Sequence, residues 1–113
     1  MKQLVRKVKI IGTGSYVPQK VYTNEYLESI APTNAEWVEK TLGIKERRIA
    51  ADNEATSDLS TRAGERAIEN SGLKKEDIDL IVLATSTPDR LAPSAAAITQ
   101  DKLQAYNAVA FDI

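Results

Sequence analysis

The sequence predicts an α/β protein with a mainly parallel sheet and crossover helices. Three observations carry this. Apolar runs at 8–11, 80–84 and 108–113 read as strands, two of them rich in β-branched residues. Segments with helical spacing and capping residues separate them. The run at 80–84 is continuously apolar, as in a strand covered on both faces. The order strand, helices, strand, helix, strand implies parallel pairing, because parallel neighbours need a crossover. The strands at 8–11, 80–84 and 109–113 are expected side by side in one sheet.

Val8, Ile10 and Ile11 run into Gly12-Thr13-Gly14, a strand entering a loop, and Pro18 blocks an immediate helix. A dinucleotide fingerprint would need a third glycine at position 17, where Val17 stands, so the glycines are read as sharp turns of the backbone. Thr23 or Asn24 can cap a short helix over 25–30, which Pro32 stops. Thr33 and Glu36 have the spacing of a capping box for a second helix carrying Trp37, Val38 and Leu42, with Gly43 past its end. Residues 44–49 are basic and partly apolar, and 50–56 read as a loop.

Ser57 is expected to cap the longest helix, whose apolar face is Leu59, Ala63, Ala67 and Ile68 and whose end is Asn70-Ser71-Gly72. A charged connector, 74–79, leads to the strand at 80–84, and a polar loop containing Pro88 follows it. Pro93 suits the first turn of a helix that runs through Ala95–Ile98 to about Leu103. The final run, 108–113, is a further buried strand. An apolar strand at that point, with no polar tail after it, reads as a sequence that is part of a longer chain. Asp112 lies within that strand, where a carboxylate needs hydrogen bonds or the strand's end, so a structural role is expected.

Composition narrows function. The 113 residues carry 15 basic and 16 acidic side chains, an even balance that offers no excess of positive charge to a nucleic acid. There is no cysteine and no histidine, so a Cys–His or Ser–His apparatus cannot sit within these residues, nor can a disulfide or a thiolate metal site. No apolar run approaches the ~20 residues that span a bilayer. The basic start with Lys2, Arg6 and Lys7 precedes an apolar stretch too short for a signal peptide, so a cytoplasmic protein without membrane contact is expected. Trp37, the one tryptophan, is either a half-buried packing residue or a flat wall for a planar ligand. Thr85-Ser86-Thr87 follows the carboxyl end of a strand, where ligands gather in open α/β sheets, though three hydroxyls also suit an ordinary loop. Arg47-Arg48 could hold a phosphate or be a solvated charge pair beside Glu46.

Several segments together resemble the opening of the beta-ketoacyl-acyl-carrier-protein synthase III family of the thiolase superfamily. They are 10–18 (IIGTGSYVP), Thr23-Asn24, Glu36-Trp37-Val38, 43–50 (GIKERRIA), Ala67-Ile68, Gly72, 79–85 (DLIVLAT), 93–96 (PSAA) and 110–113 (AFDI). The resemblance implies that residues 1–113 are the first part of a thiolase-like half. The nucleophilic cysteine would follow four residues past Ile113, and the second half would lie downstream. It implies a homodimeric acyltransferase of fatty acid biosynthesis that condenses acyl-CoA with malonyl-acyl-carrier protein through an acyl-cysteine, with no cofactor, and it implies that these residues by themselves are inactive. Related readings are a divergent acyltransferase, a hydroxymethylglutaryl-CoA-synthase-like relative or a non-catalytic dimerisation module.

By the same resemblance Trp37 stacks on the CoA adenine at the tunnel mouth, with Thr33 beside it. Ser86 lines the acyl pocket, and Ala92 takes the place of a bulky residue that reaches into the partner's pocket. The resemblance favours the ligand-wall reading of Trp37. Two departures carry consequences. Thr41 and Leu42 stand where the family has arginine and then threonine or serine, which implies weaker CoA binding. Ala92 implies a roomier acyl pocket.

Overall fold

The computed structural model describes residues 7–113, in two compact units: the residues up to Tyr16 together with Thr56–Ile113, and Val17–Ala55. Of the basic start, Lys2 and Arg6 lie outside the described residues.

The Val17–Ala55 unit contains strand β1 (Lys20–Thr23), helix α1 (Asn24–Ile30), helix α2 (Ala35–Leu42) and strand β2 (Glu46–Ile49). β1 and β2 pair antiparallel, from Lys20 opposite Ile49 to Thr23 opposite Glu46. Thr23 caps α1, its hydroxyl accepting from the Tyr26 amide at 3.2 Å. Helix α1 ends at the Ala31 cap, one residue before Pro32.

The expected Thr33–Glu36 capping box does not form. Asn34 is the N-cap of α2, and its Oδ1 accepts from the Trp37 amide at 2.9 Å. The cap therefore sits one residue later, and Glu36 turns outward to pair with Lys40 at 3.1 Å. Gly43 ends α2 with φ 69°, a left-handed conformation that glycine adopts without Cβ strain.

The basic stretch at 44–49 supplies β2, a strand that composition concealed because one of its two inward side chains, Arg47 beside Ile49, is an arginine. Arg47 Nη2 donates to Asn24 Oδ1 at 3.0 Å, and Asn24 Nδ2 donates to the Ile44 carbonyl at 2.7 Å. Asn24 is buried, with only 4% of its surface exposed, so the start of α1 and the β2 strand meet on a polar side chain.

The other unit contains helix α3 (Thr56–Ser71), a short 3-10 turn (Lys75–Asp77), strand β3 (Leu80–Leu83), helix α4 (Ala95–Leu103) and strand β4 (Val109–Asp112). β3 and β4 are parallel, from Leu80 opposite Val109 to Leu83 opposite Asp112, with α4 as the crossover. The β3–α4–β4 core of the predicted α/β fold is therefore present.

Three expectations for this unit are corrected. First, residues 8–11 are not a strand. The segment from 12 to 16 instead lies against α3: Asn70 Nδ2 donates to the Thr13 carbonyl at 2.8 Å and Arg66 Nη1 to the Ser15 carbonyl at 2.5 Å. Val8 and Ile10 are left exposed. A strand exists only by pairing, and β3 and β4 pair with each other alone among the described residues.

Second, Gly12 and Gly14 do not serve as sharp turns with positive φ. They are needed because a Cβ on Gly12 would lie 2.6 Å from the Ala67 carbonyl oxygen, and one on Gly14 would overlap the Ala63 carbonyl and the Ala67 amide. Third, the continuously apolar run at 80–84 suits cover on both faces, yet within these residues the strands are covered on one face only and a large apolar surface stays exposed. Ile81, Leu83, Ala110 and Asp112 are half-buried, whereas Leu80, Val82, Val109, Phe111 and Ile113 are exposed. Helix α4 packs on both strands from the covered side.

The helix starts also shift. α3 begins at Thr56, so Ser57 lies in its first turn, and the amide of Ser57 donates to Asp89 Oδ1 at 2.8 Å. The cap for α3 thus comes from 32 residues away. α4 begins at Ala95 with Ser94 as N-cap, one residue beyond Pro93. Its other free amides are met by Asp112, which accepts from Ala95 N at 2.9 Å and Ala96 N at 2.7 Å. An anionic acceptor at a helix N-terminus also complements the helix dipole.

Candidate functional site

The carboxyl end of β3 opens into the loop at 84–94, which carries Ser86 and Ala92. The ladder continues one step past the strands, with Ile113 N donating to the Leu83 carbonyl at 2.9 Å and Thr85 N to the Ile113 carbonyl at 3.2 Å. The loop start is therefore fixed by β4. Thr87 N then donates to Thr85 Oγ1 at 3.1 Å, a local hydroxyl turn. Ser86 is exposed at the tip of that turn, and Ala92 is exposed just before Pro93.

The far side of the loop is tied to α3. Thr56 Oγ1 donates to the Thr87 carbonyl at 2.6 Å, and Ser57 Oγ donates to Asp89 Oδ2 at 2.6 Å. Asp89 thus accepts from both the amide and the hydroxyl of Ser57, which is fully buried. Lys102 of α4 reaches the same point, its Nζ 2.7 Å from Ser57 Oγ and 2.6 Å from Asp58 Oδ1. Sequence reasoning singled out Ser57 as a helix cap and missed Asp89 and Lys102. A Pro-Asp pair in a loop after a strand was the available signal, but its partner lay too far away in sequence to infer.

Thr33 and Trp37 belong to the Val17–Ala55 unit. Thr33 is half-buried in the connection before α2, and Trp37 sits in the first turn of α2 with 55% of its surface exposed. Arg47 and Arg48 are committed to structure. Arg47 binds Asn24, while Arg48 Nη1 donates to the Pro18 carbonyl at 2.9 Å and its Nε lies 3.6 Å from Glu46.

The electrostatics of this unit gather at an exposed aromatic cluster. Lys20 Nζ lies 4.9 Å from the Tyr22 ring centroid, and the Tyr22 and Tyr26 rings are 4.4 Å apart. Hydrogen bonds from Lys20 and Tyr26 hold the Tyr22 phenol below the usual tyrosine range, and the same contact with Tyr22 raises Lys20 and Tyr26. Backbone donation at the start of α1, aided by Thr23, lowers Glu25.

No protein-family model matches the chain. Individual relatives do. Beta-ketoacyl-[acyl-carrier-protein] synthase III of Clostridium acetobutylicum is 53% identical over 109 residues, covering 96% of this chain and 33% of that protein. The crystal structure of 3-oxoacyl-[acyl-carrier-protein] synthase III from Aquifex aeolicus superposes with a TM-score of 0.86 at 47% identity, covering 93% of this chain and 34% of that one. By sequence and by fold, this chain is a relative of the beta-ketoacyl-[acyl-carrier-protein] synthase III proteins.

The likeness extends to the priming beta-ketosynthase of the R1128 polyketide pathway, with a TM-score of 0.83 at 34% identity over 93% of this chain and 31% of that one. The architecture is accordingly an α/β part of a thiolase-like fold. The chain spans about a third of the length of the synthase III relatives that it matches. Among the described residues no helix is long and apolar enough to cross a membrane.

Proposed function

We propose that this chain is part of a 3-oxoacyl-[acyl-carrier-protein] synthase III-like acyltransferase of fatty acid biosynthesis, which condenses acyl-CoA with malonyl-acyl-carrier protein. The observation that carries the reading is the 53% identity to a beta-ketoacyl synthase III over 96% of the chain, with a matching backbone. The reaction has two stages. A cysteine thiolate attacks the thioester carbonyl, a bond forms between its sulfur and the acyl carbon, and CoA leaves as the thiolate. The malonyl carbon then loses carbon dioxide. The electron pair of the broken bond attacks the acyl carbon, and the cysteine thiolate is released. Dividing the transfer lowers the barrier of each part.

The thiol must come from outside these 113 residues, because none of them is cysteine. These residues supply scaffold and walls in this reading. Trp37, exposed on α2, offers a flat face to the adenine of CoA, with Thr33 beside it. Ser86 lines the acyl pocket from the loop that β3 and α3 hold, and Ala92 of the same loop stands where a bulky side chain would reach into the partner's pocket. Ala92, with one methyl group, leaves room for larger acyl chains. Thr41, without a positive charge, weakens the hold on CoA phosphates. The acting form is a homodimer in the cytoplasm.

The complete gene product, given acyl-CoA and malonyl-carrier protein, should release carbon dioxide in step with 3-oxoacyl product. A thiol-alkylating reagent should abolish both. Absence of condensation with any acyl-CoA would overturn the reading. The 113 residues alone should show no turnover.

A further inference from the structure

Three segments of the Thr56–Ile113 unit converge on one buried hydroxyl. Ser57 Oγ donates to Asp89 of the 84–94 loop at 2.6 Å and accepts from Lys102 of α4 at 2.7 Å, while the Ser57 amide holds the other Asp89 oxygen at 2.8 Å. The neutral hydroxyl bridges a carboxylate and an ammonium, and Lys102 continues to Asp58 at 2.6 Å. Hydrogen bonds to charged groups are the stronger ones, and burial of the hydroxyl strengthens them further.

The loop needs such an anchor. Its first residues are held by β4 and by Thr56, and beyond Thr87 the loop is tied back to α3 by the two hydrogen bonds that the Asp89 carboxylate accepts from Ser57. Leu91, two residues on, is 99% exposed and supplies no packing to replace it. Ser86 and Ala92 lie three residues on either side of Asp89. Pinning Asp89 bears most directly on Ala92, while Ser86 is also held by the β4 and Thr56 contacts on either side of it.

We propose that Asp89, Ser57 and Lys102 are positioning residues, a clasp that fixes the 84–94 loop against α3 and thereby sets which acyl chains the site accepts. This rests on the proposed reading of the chain as part of a condensing enzyme, and on Ser86 lining its acyl pocket and Ala92 the partner's. A loop held at one point excludes chains that a mobile loop would admit, so loosening the clasp changes discrimination between chains more than it changes turnover of the best one.

The test uses the complete gene product with Asp89→Ala, Asp89→Asn and Lys102→Met. Arg90 is exposed in the loop, so trypsin cleavage after it reports how often the loop leaves α3. Loss of two hydrogen bonds to a carboxylate should raise that cleavage about tenfold or more in Asp89→Ala. Asp89→Asn, which keeps one acceptor, should fall between it and the parent. The ratio of kcat/KM for a short against a long acyl-CoA should shift in the same order across the variants. A purely structural role would lower both substrates equally and leave the ratio fixed, and that result would overturn the proposal. So would unchanged cleavage at Arg90 in variants with native circular dichroism. If Asp89→Ala fails to fold, Asp89→Asn and Lys102→Met carry both measurements. An unmodified protein without condensing activity sinks the functional reading instead, while the cleavage arm still judges the clasp.

Discussion

In residues 17–55 the best-buried helix residue is a polar one, Asn24, with Arg47 and the Ile44 carbonyl as its partners. In the Thr56–Ile113 unit the buried positions are small: Ala95, Ala96, Ala105 and Ala108, with Ser57, Thr61 and Thr99. The first arrangement is specified by hydrogen-bond geometry and the second by close approach. Small side chains let α3 and α4 come together, with Gly64 against Leu103 and Ser60 Oγ 2.6 Å from Thr99 Oγ1. The two regions should therefore fail in different ways, the first to loss of a polar partner and the second to added volume.

The largest expected effect is on the second. Gly14→Val places branched carbon inside the α3 backbone near Ala63 and Ala67, atoms that cannot yield as a flexible side chain would. Overpacking of this kind costs about 3 kcal/mol, read as a lower midpoint in urea unfolding. A neutral result would mean that residues 12–16 do not lie on α3.

Next comes Asp112→Ala. It removes acceptors from Ala95 N and Ala96 N at the start of α4 and should cost roughly 2 kcal/mol. Asp112→Asn should recover part of it. Asn24→Ala is the counterpart in the other unit. It leaves Arg47 without its Asn24 contact and should also cost about 2 kcal/mol by the same measurement. An Asn24→Ala protein as stable as its parent would show that polar specification is not what orders residues 17–55.

Asn34→Ala, the loss of one helix cap, should cost about 1 kcal/mol. Trp37→Ala is smallest in stability, within about 0.5 kcal/mol, because the side chain is more than half exposed. It should nonetheless weaken CoA binding by the complete protein in a fluorescence or calorimetric titration. A large loss of stability with unchanged affinity would return Trp37 to packing.

The sequence by itself determined the four helices, the βαβ crossover at 80–113 and most helix ends. Those are local decisions. An apolar run at 80–84, Gly43 past α2 and Gly72 past α3 act within a few residues of themselves, and the last two adopt φ of 69° and 73° as such positions require. The resemblance to a family was legible too, because it is a matter of residue order.

Tertiary structure alone decided the rest. It brought Asp89 and Asp112, far along the chain, to the first amides of α3 and α4, the latter alongside the local cap Ser94. It laid residues 12–16 on a helix and left 8–11 out of the sheet. It made an arginine-bearing stretch into β2. Each of these depends on a partner distant in sequence, and spacing along a chain carries no information about which distant group will arrive to satisfy an amide, a carbonyl or a strand edge.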